Sequence, residues 1–385
     1  MSQGTDIGLR GPVMCIVGAR PNFMKMAPIL RALAAHAPAI PALLVHTGQH
    51  YDANMNDRLF ADLRLPAPDL NLEVGSGSHA VQTAEVMKRF EPALDEHRPS
   101  CVVVVGDVNS TLACTLVAVK KGVPVVHVEA GLRSNDRRMP EEINRVLTDQ
   151  VADRLYTTER SAGDNLAREG VDPSRVAFVG NVMIDSLLDA REHARPAADT
   201  LVAHDLDPGL LQHPKGYGVV TMHRPSNVDD AETLARLLGV LAEVSRELPL
   251  VFAMHPRTRN NVQRFGLQGL VDGARIAVLP PQGYLEMVGL MAGATVVLTD
   301  SGGLQEETTA LGVPCLTMRE NTERPITVEQ GTNTMVGRDV AAIRQGVADI
   351  LAGRGKRGRV PELWDGHAAE RFAADLYAWL RAGAP

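Results

Sequence analysis

Cysteine is scarce in this sequence, and the few cysteines form no metal or disulfide pattern. Four occur among 385 residues, none with C-x-x-C spacing, and three lie inside apolar runs. Disulfides and zinc sites are therefore not expected. The sequence instead predicts buried free thiols in a reducing compartment.

Strong basic charge and long apolar runs are also missing. The formal net charge of −7 argues against nucleic acid or an anionic membrane as the main partner, but it leaves room for a small anionic ligand. No run approaches the ~18 apolar residues of a membrane span. Residues 1–11 are polar and lack the basic segment followed by an apolar segment that is typical of a signal peptide. We therefore expect no membrane-spanning or targeting segment, and we expect a cytoplasmic location.

Short apolar runs alternate with helical patterns in both halves of the chain, as in parallel sheets covered by helices. The predicted strands cover residues 13–17, 42–46, 101–105, 123–128, 154–157 and 175–179 in the first half, and 217–221, 250–254, 276–279, 294–298 and 315–318 in the second. This pattern predicts an α/β protein with two doubly wound, Rossmann-like sheets.

The restart of the pattern after residue 179 sets the predicted domain boundaries. We expect an N-terminal domain over residues 1–179, a C-terminal domain over residues 180–366, and a C-terminal helix within residues 367–385 that packs back across the domains. Ligands of open α/β sheets lie outside the carboxyl ends of the strands, so two facing domains would enclose a cleft lined by the polar residues at those ends.

Residues 299–307 are the stretch most indicative of a ligand, because they join a predicted strand to a predicted helix through a Ser-Gly-Gly turn. Ser301, Gly302 and Gly303 fall at the helix start, where unpaired N–H groups and the helix dipole favour an anion such as phosphate. A simpler alternative is that Ser301 only caps the helix. A carboxylate one turn later, at Glu306 or Glu307, could accept hydrogen bonds from ribose hydroxyls. Phosphate and ribose together indicate a nucleotide.

Side chains able to do acid–base chemistry follow several predicted strands together with cations: Asp107, Glu129, Glu141, Glu142, His223 and His255, beside Arg20, Lys25, Arg133, Arg145, Arg257 and Arg324. Singly, each also has a structural interpretation. Asp107 could cap the helix that starts near Asn109, and Glu141 suits the first turn of a helix after Pro140.

Two further motifs are weak. His46 and His50 have the spacing of a helical zinc pair, but they lie at a strand end without the glutamate of HExxH, so no metal is expected. Residues 75–80 fit G-x-G-x-x-A, but the preceding residues 69–74 are too polar for the first strand of a Rossmann unit. A Gly/Ser loop is predicted there.

Seven segments taken in order carry a resemblance to a known family: residues 18–25, 127–133, 140–145, 180–181, 223–224, 299–307 and 322–325. Together they resemble the non-hydrolysing UDP-N-acetylglucosamine 2-epimerases, from about residue 13 to about residue 337. The resemblance implies the GT-B architecture, two Rossmann-like domains around an inter-domain cleft. It also implies interconversion of UDP-GlcNAc and UDP-ManNAc by elimination of UDP to a 2-acetamidoglucal and re-addition.

The resemblance also implies residue roles, with the sugar chemistry in the N-terminal domain and UDP binding in the C-terminal domain. The catalytic residues would be Asp107, Glu129, Glu141 and His223. Substrate would be bound by Arg20, Lys25, Arg145, Ser301, Gly302, Gly303, Glu307 and Arg324. Neither a metal nor another cofactor is implied, and the expected partners are the UDP-sugars and a second copy of the chain.

The chain departs from many members at Asn22 and Phe23, where they have Glu-Ala, and at Pro225 and Ser226, where they have Arg-Glu. In some bacterial members a second UDP-GlcNAc binds as an activator, partly through a Gln-His pair matched here by residues 49–50, Gln49 and His50. Four other functions stay open: C2 epimerisation of a UDP-2,3-diacetamido sugar or uronate, a hydrolysing epimerase, a glycosyltransferase of the same fold, and a UDP-sugar sensor.

Overall fold

The computed structural model describes residues 11–48 and 53–383, with the side chains of residues 53–57 left out. The chain divides into two compact units. Unit 1 combines Met1–Leu188 with Glu362–Pro385, and unit 2 is Asp189–Pro361. The division falls inside a helix, Val182–Glu192, which begins after the boundary predicted at residue 179.

Unit 1 contains a parallel sheet of seven strands in the order β3-β2-β1-β4-β5-β6-β7. The strands are β1 Val13–Val17, β2 Ala42–His46, β3 Leu70–Asn71, β4 Cys101–Val105, β5 Val125–Ala130, β6 Arg154–Thr157 and β7 Val176–Phe178. Most were predicted from their apolar, β-branched runs, and β1 and β4 are completely buried. The strand order reverses between β1 and β4, so the loops after these two strands are neighbours at the edge where such sheets bind ligands.

The helices described in unit 1 cover the faces of this sheet. They are α1 Arg20–Ala35, α2 Ala53–Asp62, α3 His79–His97, α4 Asn109–Lys120, α5 Pro140–Val151, α6 Arg160–Arg168, α7 Val182–Glu192 and, from the C-terminal segment, α17 Ala368–Arg381. The apolar pattern after β1 predicts a helix from residue 24, but α1 already starts at Arg20. Asn22 explains the early start, because its Oδ1 accepts hydrogen bonds from Gly18 N and Ala19 N, both at 3.1 Å.

Unit 2 contains a six-stranded parallel sheet in the order β10-β9-β8-β11-β12-β13. The strands are β8 Gly218–Thr221, β9 Leu250–Ala253, β10 Ile276–Leu279, β11 Val296–Thr299, β12 Cys315–Thr317 and β13 Asn333–Met335. The helices described there are α8 Ala197–Val202, α9 Pro225–Val228, α10 Ala231–Val244, α11 Pro256–Arg264, α12 Gln268–Asp272, α13 Tyr284–Ala292, α14 Gly302–Leu311, α15 Pro325–Glu329 and α16 Val340–Leu351. The order reverses between β8 and β11, which brings the loops after these strands together.

The C-terminal helix α17 packs within unit 1. Phe372 and Leu376, four residues apart on one helix face, are buried, and the ring of Tyr377 lies 4.8 Å from that of His36, which follows α1. Asp375 accepts a hydrogen bond of 2.7 Å from the hydroxyl of Tyr156 on β6. None of the helices in the described ranges is long and apolar enough to cross a membrane. All four cysteines are buried without disulfides, as predicted.

Candidate active site

Lys25 and Glu129 form a buried ion pair beside the end of β4. Lys25 Nζ lies 2.6 Å from Glu129 Oε1, and the two side chains are 4% and 2% exposed. Gly106 makes room for this pair, because a Cβ at that position would lie 2.8 Å from Lys25 Nζ. The pair thus joins one predicted catalytic carboxylate to one predicted substrate-binding cation at the ligand-binding edge of the sheet.

Glu129 lies at an irregularity in β5. The pairing of β5 with β6 shifts register after Val128, and Glu129 has a φ of +71°. This left-handed conformation costs a non-glycine residue of order 1–3 kcal/mol and persists only where contacts enforce it. Here Gly106 N donates to Val128 O at 3.0 Å, and Gly131 N donates to Asp149 Oδ2 at 3.0 Å. The backbone on both sides of the Glu129 carboxylate is therefore fixed.

Asp107 pairs with Arg145 at the start of α4. Arg145 Nη2 lies 2.5 Å from Asp107 Oδ2, and Arg145 Nη1 donates to Glu142. The residue at the N-cap position of α4 is Val108, one residue after Asp107. The structure therefore brings together a predicted catalytic acid and a predicted substrate-binding cation.

The two adjacent glutamates in the first turn of α5 have different surroundings. Glu142 is buried and accepts hydrogen bonds from Ser134 N and Asn135 N at 2.9 and 2.8 Å. Burial alone would raise the pKa of Glu142, but these bonds and the charge of Arg145 lower it. Glu141 is half-buried, and its carboxylate makes no hydrogen bond to the described residues. Glu142 thus anchors a loop, which leaves Glu141 as the member of the pair suited to a ligand.

The other two predicted cations of unit 1, Arg20 and Arg133, have different surroundings. Arg20 is the first residue of α1 and is half-buried just after β1, at the same edge as Lys25. Arg133 is engaged elsewhere, with Nη1 at 2.7 Å from Asp149 and Nη2 at 2.7 Å from Glu169. Arg133 therefore serves the scaffold.

In unit 2, Asp300 organises the loop after β8. Its carboxylate accepts hydrogen bonds from the backbone N–H groups of His223 and Arg224 and from Asn227 Nδ2, at 2.9 to 3.1 Å. His223 Nδ1 also lies 2.9 Å from Asp300 Oδ1. Burial alone would raise the pKa of Asp300, but these hydrogen bonds and the proximity of His223 lower it. With Nδ1 facing Asp300, Nε2 is the ring nitrogen of His223 that can serve a ligand.

His255, unlike His223, has a structural role. It is the N-cap of α11, where its Nδ1 accepts a hydrogen bond of 3.2 Å from Arg257 N. Arg257 in turn pairs with Asp229. His255 and Arg257 therefore both have local structural roles.

Ser301 precedes α14 but does not cap it through its side chain. Its backbone is extended and it occupies the N-cap position, as the simpler alternative expects, but its hydroxyl makes no capping hydrogen bond. The first N–H groups of α14, which include those of Gly302 and Gly303, have no acceptor within the helix. A Cβ at Gly302 would lie 2.5 Å from Glu323 Oε1, so a larger residue here would displace that carboxylate. The geometry suits an anion seat.

The two glutamates of this turn also differ. Glu306 is fully buried, and its Oε2 lies 3.0 Å from Arg324 Nε. Arg324, predicted to contribute positive charge to the substrate site, is therefore partly neutralised by a buried carboxylate. Glu307, predicted to bind ribose, is 2% exposed. Its low exposure requires any contact with ribose to be made at the tip of its carboxylate.

Three observations bear on other predicted or alternative sites. The candidate activator residues Gln49 and His50 lie outside the described residues. A cavity of about 360 Å³ in unit 2 is lined partly by Pro314 and Thr332, which precede β12 and β13, and so it lies at the opposite edge of the sheet from Ser301. Within the described ranges no cluster of three His, Cys, Asp or Glu side chains could hold a metal.

The family model described as UDP-N-acetylglucosamine 2-epimerase matches residues 31–377 of this chain. The chain belongs to the UDP-N-acetylglucosamine 2-epimerase family. Its similarity to the UDP-N-acetylglucosamine 2-epimerase of Methanocaldococcus jannaschii is 39% identity over 370 residues, 94% of this chain and 97% of that protein. It is 40% identical over 328 residues to the UDP-2,3-diacetamido-2,3-dideoxy-D-glucuronate 2-epimerase of Pseudomonas aeruginosa, 84% of this chain and 88% of that protein.

A solved structure agrees with these relatives. The crystal structure of the Methanocaldococcus jannaschii UDP-GlcNAc 2-epimerase in complex with UDP-GlcNAc and UDP matches with a TM-score of 0.85 and 38% identity, over 95% of this chain and 99% of that chain. The predicted family, the GT-B architecture of two Rossmann-like domains and the enzyme class, an epimerase and hence an isomerase, are confirmed.

Proposed function

We propose that this enzyme interconverts UDP-GlcNAc and UDP-ManNAc without hydrolysis, by eliminating UDP to a 2-acetamidoglucal and adding it back. The observation that carries the proposal is the pairing of Glu129 with Lys25 and of Asp107 with Arg145, which places two carboxylates and two cations at one edge of the unit 1 sheet. Epimerisation at C2 needs such a set, because a proton must be removed and returned while a diphosphate leaves.

The chemistry explains why both kinds of group are needed. The C2 proton has no neighbouring carbonyl, so it becomes acidic only as the anomeric C1–O bond breaks and its electron pair moves to UDP. A carboxylate then removes the C2 proton, and the glucal forms. In the second step UDP adds back to C1 of the glucal while a proton is added to the other face of C2. No electrons are gained or lost overall, so the reaction consumes no redox cofactor.

We assign the acid–base roles to Asp107, Glu129 and Glu141, without assigning a face of C2 to each. Arg20, Lys25 and Arg145 would bind substrate in unit 1. In unit 2, His223 Nε2 would assist departure of UDP, and the turn formed by Ser301, Gly302 and Gly303 would bind phosphate at the start of α14. Glu307 would accept hydrogen bonds from ribose hydroxyls, and the guanidinium of Arg324, although paired with Glu306, would donate hydrogen bonds to the substrate.

A related sugar is the second candidate substrate, because the Pseudomonas aeruginosa relative is about as similar to this chain as the Methanocaldococcus jannaschii one. Both reactions would use the same C2 chemistry. We further propose a cytoplasmic homodimer that supplies a precursor for polysaccharide biosynthesis. A second UDP-GlcNAc bound through Gln49 and His50 would be its activator.

Incubation of the enzyme with UDP-GlcNAc alone, followed by NMR of the sugar, separates the alternatives. A mixture of UDP-GlcNAc and UDP-ManNAc supports the proposal. Free ManNAc and UDP would indicate a hydrolysing epimerase, and unchanged UDP-GlcNAc would indicate a sensor, a transferase that needs an acceptor, or an epimerase of another sugar. A parallel incubation with a UDP-2,3-diacetamido uronate identifies the last case.

A further inference from the structure

His127 links the three segments that carry the proposed catalytic carboxylates. It is fully buried on β5, two residues before Glu129. Its Nε2 lies 2.8 Å from Gly106 O, directly before Asp107, and its Nδ1 lies 2.6 Å from Asp149 Oδ1. Asp149 belongs to α5, and the first turn of this helix contains Glu141. One imidazole ring thus connects β5, the end of β4 and α5.

The partners of His127 determine which ring nitrogen must carry a proton. A backbone carbonyl can only accept a hydrogen bond, so Nε2, which faces Gly106 O, must be the donor. Asp149, which faces Nδ1, also accepts a hydrogen bond from Gly131 N at 3.0 Å and is paired with Arg133 at 2.7 Å. Burial alone would raise the pKa of Asp149, but His127 and Arg133 lower it. Both ring nitrogens of His127 are therefore held by hydrogen bonds.

Arg133 joins Asp149 to a second carboxylate. It lies 2.7 Å from both Asp149 and Glu169. The strand neighbours of His127 are apolar: Val104 on β4 and Leu155 on β6. A buried ion pair with all its hydrogen bonds satisfied fixes geometry more than it adds stability, and removal of one partner would leave a buried charge.

We infer that His127 is a positioning residue that holds Asp107, Glu129 and Glu141 in register for proton transfer. Its hydrogen bond to Gly106 O fixes the turn that presents Asp107. Through Asp149 it fixes Gly131, and with it the left-handed backbone at Glu129. Through the same carboxylate it holds α5 against β5. The catalytic part of this inference rests on the proposed function, but the positioning does not.

The first test is NMR of the full-length enzyme labelled with ¹⁵N-histidine, with the His127 signal assigned through its contacts to Leu155. We expect Nε2 to carry a proton and to donate it to Gly106 O, because that carbonyl can only accept a hydrogen bond. An unprotonated Nε2 would overturn the inference. This test needs neither a variant nor activity.

The second test compares His127→Gln with Tyr156→Phe, a matched control that removes another buried hydrogen bond of unit 1, the one to Asp375. In His127→Gln, hydrogen exchange should rise in residues 106–108 and 129–133, and kcat should fall by about 10- to 100-fold because the carboxylates are misplaced. Tyr156→Phe should change neither. Equal exchange in the two variants would overturn the inference. A wild-type enzyme inactive on both UDP-sugars would contradict the proposed function, while the NMR and exchange results would still decide this inference.

Discussion

Asp300 holds His223 from two directions, through its ring and through its backbone. The carboxylate lies 2.9 Å from His223 Nδ1 and accepts hydrogen bonds from His223 N at 3.0 and 3.1 Å. Asp300 is fully buried, whereas the His223 side chain is 38% exposed. The buried carboxylate therefore fixes both the position and the ring orientation of a partly exposed histidine, an arrangement common to catalytic histidines.

Asp300→Asn should lower kcat by roughly 10²-fold or more, because an amide can donate to Nδ1 and so reverse the tautomer of His223. Steady-state kinetics with UDP-GlcNAc checks the prediction. Asp229→Asn is the matched control, since this carboxylate belongs to the same unit but pairs with Arg257 at the surface. If the two variants were equally active, Asp300 would have no role in orienting His223.

Ser301→Ala should weaken UDP binding without destabilising the protein. The Ser301 hydroxyl makes no capping bond, so the usual N-cap loss of about 1 kcal/mol should not appear in thermal unfolding. Loss of a hydrogen bond to a charged phosphate should cost about 1.5–3 kcal/mol in calorimetry with UDP. The opposite pattern, a lower Tm with unchanged UDP affinity, would make Ser301 a helix cap and place the phosphate elsewhere.

The sequence patterns predicted most strands of both units and the edge to which the candidate site residues belong. This succeeded because buried parallel strands require continuous apolar runs, and because βα units place their loops at one edge. Two strands, β3 Leu70–Asn71 and β13 Asn333–Met335, were missed because neither segment forms a continuous apolar run. The early start of α1 was missed because it depends on the side chain of Asn22.

The supporting residues of the site could not be predicted because their roles depend on distant partners. Asp300 lies in the stretch that was predicted to bind nucleotide, but its partner His223 is 77 positions away. His127 lies in a segment that carries the family resemblance, and its partner Asp149 is 22 positions away. Local patterns identify a charged residue at a strand end, but only the packed structure shows which charge neutralises it. The pairing of Arg324 with Glu306 is a further example.

Asp107→Asn, Glu129→Gln and Glu141→Gln should each lower kcat by roughly 10²-fold or more, the usual contribution of a general acid or base. Glu129→Gln should also lower the Tm, because it leaves the buried Lys25 ammonium without its carboxylate. Kinetics and thermal unfolding measured together separate the two effects. The control is Glu362→Gln, which removes a surface pair with Arg160. Near wild-type kcat in all three amide variants would refute the acid–base assignment.

Asp185 should make unit 1 less stable as the pH rises from about 4 to about 7. Burial raises the pKa of Asp185 to about 6, from 3.8, although Ala368 N and Ala369 N donate to it. Because the folded state binds the proton more tightly, it holds more protons than the unfolded state between these values, so stability falls with rising pH there, by of order 3 kcal/mol at most.

The variant Asp185→Asn should lack this dependence, so the wild type should lose Tm relative to it over the same pH range. Both tryptophans, Trp364 and Trp379, belong to the segment of unit 1 that contains α17, so their fluorescence reports unfolding of this unit. A Tm difference that stays constant with pH, or changes in the other direction, would show that Asp185 does not titrate in this range.

The most direct test of the proposed chemistry is incubation of the enzyme with UDP-GlcNAc in D₂O, followed by ¹H NMR of the sugar. Removal of the C2 proton by a carboxylate that exchanges with solvent predicts that UDP-ManNAc appears and that deuterium enters C2 of both UDP-sugars. The Glu129→Gln enzyme should show neither change at the wild-type rate. Epimerisation at C3 or C4 with protium retained at C2 would contradict the proposed function.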